Sequence, residues 1–250
     1  MRNNYNLVLS RSLVVLLIIL FTGIPVRTIA QVSFEGYAGA LNSNVSEGIK
    51  GNVSGEFSAR LGTFTASAGS LFTFPVTNEL YFSALKLQVQ NDFQLFNKPL
   101  TMSVFYLWKP FSVDLRETAF GLLAGYRIGR FGLNLGLNSR VYYFTQAAKE
   151  KYNFTDAVST SIWESINVMY RLSYYQPLSP KWEMEAMVTN YDNYFIEQET
   201  NPMIQTKFTY KMNEKLSLYG NLGYQQAGLL NARVNTFGVF LRGGVIWKIK

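Results

Sequence analysis

The run Phe131-Gly132-Leu133-Asn134-Leu135-Gly136-Leu137-Asn138-Ser139-Arg140-Val141-Tyr142-Tyr143 decides the fold. Phe131, Leu133, Leu135, Leu137 and Val141 share one face, and Gly132, Asn134, Gly136, Asn138 and Arg140 share the other. A repeat of two belongs to a β-strand, whose side chains point alternately to its two faces. A helix would bring apolar residues back every three or four positions. The run is also long, because strands of soluble sheets usually hold about five or six residues. Its polar face carries Gly, Asn and Arg, not the Lys/Glu mixture of a sheet face exposed to water.

The alternation recurs along the chain. Ile166, Val168, Tyr170, Leu172 and Tyr174 oppose Ser165, Asn167, Met169, Arg171 and Ser173. Near the C-terminus Phe237, Val239, Leu241, Val245, Trp247 and Ile249 oppose Thr236, Gly238, Arg242, Gly244 and Lys248. Short turn signals at 61–63, 97–99, 128–130, 178–181 and 212–215 alternate with longer polar connections near 43–51, 75–79, 111–116, 145–160, 192–202 and 227–234. This spacing predicts twelve strands, at 32–42, 52–61, 64–74, 80–95, 100–110, 117–128, 131–143, 162–177, 182–191, 203–212, 215–226 and 235–249.

The expected fold is therefore all-β, a single antiparallel up-and-down transmembrane barrel with both termini on the tight-turn side. A tilted spanning strand needs about 9–11 residues. An even strand number, with short turns at one rim and long loops at the other, is how such barrels are strung. A secreted β-sandwich also alternates, but on shorter strands. Trp108 and Trp163 fall at long-loop ends, and Trp182 and Trp247 at tight-turn ends. Two per rim is the expectation for membrane-interface aromatics, since the ring seeks the apolar boundary and its N–H seeks water. Parity, however, puts Trp163 on the inward face.

Composition narrows the chemistry. Of the 250 residues 16% are aromatic and 16% charged, against about 25% charged in soluble proteins. There is no histidine and no cysteine, which excludes Ser-His and Cys-His catalysis, disulfides and the usual zinc sites. No enzymatic activity, metal or cofactor is expected. A two-carboxylate mechanism stays formally open through Glu183 and Glu185. Those two lie two apart on one strand beside a tight turn, which suits solvated rim charges better.

Residues 1–30 read as a secretory signal peptide, with Arg2 and Arg11, the apolar run Leu13–Phe21, and Thr28-Ile29-Ala30 before the expected cut. That run is short for a membrane helix, which needs about 18–20 apolar residues. Loss of the leader removes three arginines and lowers the net charge from +7 to +4, leaving residues 31–250 as the barrel. Basic residues are scattered, so nucleic acid is not an expected partner.

The last strand, Arg242-Gly243-Gly244-Val245-Ile246-Trp247-Lys248-Ile249, resembles those of bacterial outer-membrane β-barrel proteins. Gly244, Trp247 and Ile249 look like the assembly signal of that class, although Lys250 follows where such chains end on an aromatic. The Ala30-Gln31 junction is similar to those of Bacteroidetes secreted proteins. The resemblance implies the outer membrane as location and periplasmic termini. It also implies the lipid bilayer and the outer-membrane assembly machinery as partners. No motif names a particular family.

Parity assigns Arg60, Lys86, Lys109, Arg127, Arg140, Arg171, Lys207, Lys211 and Arg242 to the lumen, with Glu35, Glu56, Asp92, Glu117, Glu183 and Glu185. Nine bases against six acids, with Arg140, Arg171 and Arg242 near mid-height, imply a narrow, weakly anion-favouring passive channel for small hydrophilic solutes. The alternative is a non-conducting structural or partner-binding barrel of an envelope complex. In it acids and bases pair and, with tyrosines, fill a small lumen. The 145–160 loop (Lys149, Glu150, Lys151, Tyr152, Phe154, Asp156) suggests an external lid or docking surface.

Overall fold

The computed structural model describes residues 31–43, 49–77, 80–95, 98–110, 113–154, 161–164, 166–192, 198–227 and 236–249; the expected leader, residues 1–30, lies outside them. The strands are β1 (Gln31–Ser43), β2 (Lys50–Leu61), β3 (Phe64–Thr77), β4 (Leu80–Leu95), β5 (Lys98–Pro110), β6 (Leu115–Ile128) and β7 (Phe131–Phe144). They continue as β8 (Ser161–Trp163), β9 (Asn167–Pro177), β10 (Trp182–Tyr191), β11 (Gln198–Lys211), β12 (Leu216–Ala227) and β13 (Thr236–Lys248). One short helix, α1 (Gln146–Lys151), follows β7.

Each strand pairs antiparallel with its neighbours, and β1 pairs with β13 from Ser33↔Lys248 to Ser43↔Gly238, which closes the ring. Both β8 and β9 lie against β7, so the two form one stave and the barrel has twelve. The predicted single strand 162–177 is thus interrupted. Val141 faces Trp163 and Asn138 faces Asn167, so three residues on one strand span the space of two on the other. A bulge of this kind adds one residue and re-aims the side chains beyond it. Trp163 is accordingly turned outward, 55% exposed and packed edge-on against Phe120, not inward as parity suggested.

The tight turns follow local chemistry. Gly62 and Gly129 hold φ values of +62° and +58°, where a side chain would be strained. The Ser179 hydroxyl accepts from the N–H of Lys181 and of Trp182. The Asn213 side chain likewise accepts from Lys215 and Leu216, so short polar residues close both turns.

The two faces differ as the repeat requires. Leu133, Leu135, Leu137, Val168, Leu172, Leu222 and Leu241 stand exposed on the outer surface. Lys86, Glu117, Asn138, Gln205 and Asn221 are buried inside. Exposed apolar surface on this scale would drive association in water, whereas hydrocarbon solvates it. The ladder closes on itself, as lipid demands of a spanning structure, and among the described residues only the short β8, toward the long-loop rim, has a strand partner on one side alone.

Candidate functional site

The strands carry their polar side chains into the lumen, and the expected lumen residues lie there. Their pairing is the main finding. The Arg242 guanidinium meets Asp192 at 2.6 Å and stacks over the rings of Tyr37 and Phe240. Arg140 lies 3.8 Å from Glu117 and 3.9 Å from Glu164, and Lys109 reaches the same Glu117 at 3.8 Å. Arg60 pairs with Asp92 at 3.1 Å and Lys207 with Glu35 at 3.4 Å. Lys86 pairs with Glu56, and Lys211 with Glu183. Arg171 donates to the Asn134 amide oxygen at 2.6 Å and lies over the Tyr191 ring. Arg127 lies 4.2 Å from the centre of the Tyr175 ring and donates through Nε to the Gly129 carbonyl. Glu185 faces the Tyr175 hydroxyl.

Arg140, Arg171 and Arg242 are inward, and each is held by its own wall partners. Two of those partners escaped sequence reading. Asp192 follows β10 in a stretch read as loop, and the bulge turns Glu164 to the lumen side. With them the acids on the inward face number eight, and register adds Lys50 and Lys248, paired with Leu41 and Ser33, to the nine expected bases, so a positive excess remains among the described residues.

Apolar side chains complete the filling. Tyr37, Ala84, Leu107, Ala119 and Tyr219 form one buried cluster. Leu107 comes from β5 and Tyr219 from β12, on opposite walls of the ring. Phe105, Leu123, Met169 and Tyr191 form a second cluster. A Cβ added at Gly121 would sit 2.3 Å from the Leu137 carbonyl and 2.8 Å from the Phe105 ring, so glycine lets that ring lie against the wall. Gln205 and Asn221, each 1% exposed, join through an amide hydrogen bond of 3.3 Å. Side chains lining an open water column keep accessible surface, and these keep almost none.

A cavity of about 590 Å³ remains beside this filling. Its lining includes Gln88, Gln90, Thr101, Ser103, Arg127 and Tyr175, several of them close to the tight turns. Exposed Pro99 and Arg127 mark its mouth at that rim.

All four tryptophans point outward. Trp108 packs on Phe82 at 5.7 Å and Trp182 on Tyr210 at 4.9 Å, while Trp247 is half exposed between Phe34 and Leu216 of the flanking strands. In the same terminal strand Gly244 is forced to be small, since a Cβ there would lie 2.4 Å from the Gly36 carbonyl and 2.5 Å from the Tyr219 ring. Ile249 donates its N–H to Val32.

The first half of the 145–160 loop is tied down. Thr145 caps α1 by accepting from Ala148 at 3.2 Å, and Phe144 packs edge-on against Phe154. Lys151 and the Tyr152 hydroxyl both reach the Asp114 carboxylate. These contacts with Tyr152 and Asp114 hold the Lys151 ammonium above its ordinary pKa. Asp156 lies outside the described residues.

No protein-family model and no curated relative matches the chain. Among solved structures it is similar to the outer membrane protein Omp33 of Acinetobacter baumannii, at 8% identity and a TM-score of 0.41 over 88% of this chain and 99% of that one. It is similar to the translocator domain of the autotransporter NalP from Neisseria meningitidis, at 12% identity and a TM-score of 0.43 over 98% and 97% of the two chains. It is also similar to outer membrane phospholipase A from Escherichia coli, at 8% identity and a TM-score of 0.42 over 86% and 92%.

The last of these corrects the expectation that the chain is no enzyme. An enzyme stands among the proteins of similar architecture, so the barrel gives no ground for excluding catalysis. At these identities the likeness is one of fold alone. The class rests on the molecule itself: a closed twelve-stave barrel, apolar outside and polar within, is that of a bacterial outer-membrane β-barrel, and its place is the bacterial outer membrane.

Proposed function

We propose that this barrel is a non-conducting member of the envelope, holding or partnering another component instead of passing solutes by free diffusion. One observation carries the reading: Leu107 and Tyr219, from opposite walls, belong to the same buried cluster, 1% and 5% exposed. The ion pairs around it support the same reading, because each arginine that would select anions is already held by a wall partner. On this reading residues 1–30 are a cleaved secretory signal and both barrel termini are periplasmic. Gly244, Trp247 and Ile249 then mark the strand handled by the assembly machinery.

A second reading keeps the narrow, weakly anion-favouring passive channel for small hydrophilic solutes. It is favoured by the polar cavity of about 590 Å³, which carries solvent space into the lumen from one rim. Proteoliposome swelling separates the two. Vesicles holding folded protein should swell in arabinose no faster than protein-free vesicles. Swelling that scales with protein content would replace the first reading by the second.

A further inference from the structure

We propose that the turn-side cavity is a binding site for a small, hydroxyl-rich organic anion, with Arg127 as its anchor. The proposal goes beyond the reading above and holds whether or not the lumen conducts.

Charge comes first. The cavity lining holds four bases, Lys86, Arg127, Arg171 and Lys207, against two carboxylates, Glu35 and Glu56. Each carboxylate is engaged by a lysine, Glu56 by Lys86 and Glu35 by Lys207. A third carboxylate, Glu185, faces the Tyr175 hydroxyl beside the lining, so the surplus positive charge is small. Its nearest carrier to the rim is Arg127, whose contacts are the Gly129 carbonyl and the Tyr175 ring. Low-dielectric walls strengthen the field of such a surplus.

Geometry comes second. Arg127 uses Nε on the Gly129 carbonyl at 3.1 Å and lies over the Tyr175 ring. Both contacts fix the plane of the guanidinium and spare its two terminal nitrogens, the pair that binds a carboxylate or phosphate as a fork. On the two staves beside this anchor the lining supplies neutral amide and hydroxyl groups, of which Gln88 and Ser103 suit a polyol body. Tyr175 and Tyr191 offer ring faces beside them. The volume falls within the roughly 300–1,000 Å³ of small-molecule sites.

Isothermal titration of the folded chain in detergent tests this with glucuronate, glucose 6-phosphate, glucose and inorganic phosphate as probes. Glucuronate and glucose 6-phosphate should bind at one saturable site, at least about tenfold tighter than glucose and than inorganic phosphate, and more weakly as salt rises. Arg127→Gln should weaken both sugar anions about tenfold or more. Gln88→Trp, which fills the cavity without changing charge, should do the same.

A folded variant is recognised by the different mobility of unboiled and boiled samples. If Arg127→Gln does not fold, Gln88→Trp and the salt dependence decide between binding at this cavity and its absence. Four outcomes overturn the proposal: no saturable binding of either sugar anion, glucose or phosphate binding as tightly, affinity indifferent to salt, or affinity unchanged in the folded variants.

Discussion

Lys86 shows what a single residue does in this lumen. Its side chain is only 4% exposed and its ammonium is held by Glu56 on the second stave away. A charge so buried is tolerated because its partner is buried with it. Removing one member strands the other, at a cost of about 3–5 kcal/mol. Lys86→Met should therefore lower the unfolding free energy in urea by about that amount. The double variant Lys86→Met, Glu56→Leu should regain most of it, and a double variant no better than the single would show that the pair is not the source. The inward direction of Lys86, Arg140, Arg171 and Arg242 was legible from the two-residue repeat alone. Their partners were only partly so: Glu56 and Glu117 follow the same repeat, whereas Asp192 lies beyond the end of a strand and Glu164 beside a bulge.

At the scale of elements the ladders obey the repeat, and what the sequence hid lies where a ladder slips. Beyond Thr189↔Arg171 the β9–β10 pairing ends, and the Asn190 side chain takes over. Its oxygen accepts from the Tyr170 N–H at 2.8 Å and its amide donates to the Val168 carbonyl at 2.8 Å, standing in for a strand backbone. Asn190→Leu leaves both backbone groups unsatisfied, at about 1–3 kcal/mol for each. Hydrogen exchange at the Tyr170 amide should then rise well above that of the β9 amides nearer the turn, and unchanged protection there would remove Asn190 from this role. Nothing in a single sequence marks such a substitution, since Asn190 reads as one more polar residue near a loop.

The same scale decides the tryptophans. The bulge between β8 and β9 returned Trp163 to the outer face, where it joins the other three. We propose that they lie at the two membrane boundaries. In vesicles of brominated lipid, bromines near the headgroups should quench tryptophan fluorescence more strongly than bromines near the bilayer centre. The reverse order would put the indoles elsewhere.

For the whole molecule, the repeat and the alternation of short and long connections sufficed for strand number, closure and the assignment of faces. They could not say how far inward side chains reach. Parity identifies Phe105, Leu107, Leu123 and Met169 as inward, but whether they meet other staves depends on ring diameter, strand tilt and the glycines that let rings lie down. Those are properties of the closed barrel and of no single strand. Nor could the repeat show that Asp192 and Glu164 stand against Arg242 and Arg140, two of the arginines from which an anion preference was expected.

Single-channel recording in a planar bilayer tests the closed lumen most directly. Heat-modifiable, folded protein inserted in potassium chloride should give a flat baseline with no reproducible conductance steps up to the voltage at which the bilayer itself breaks down. Stable steps of one size, scaling with salt concentration, would contradict the account and make the barrel an open channel.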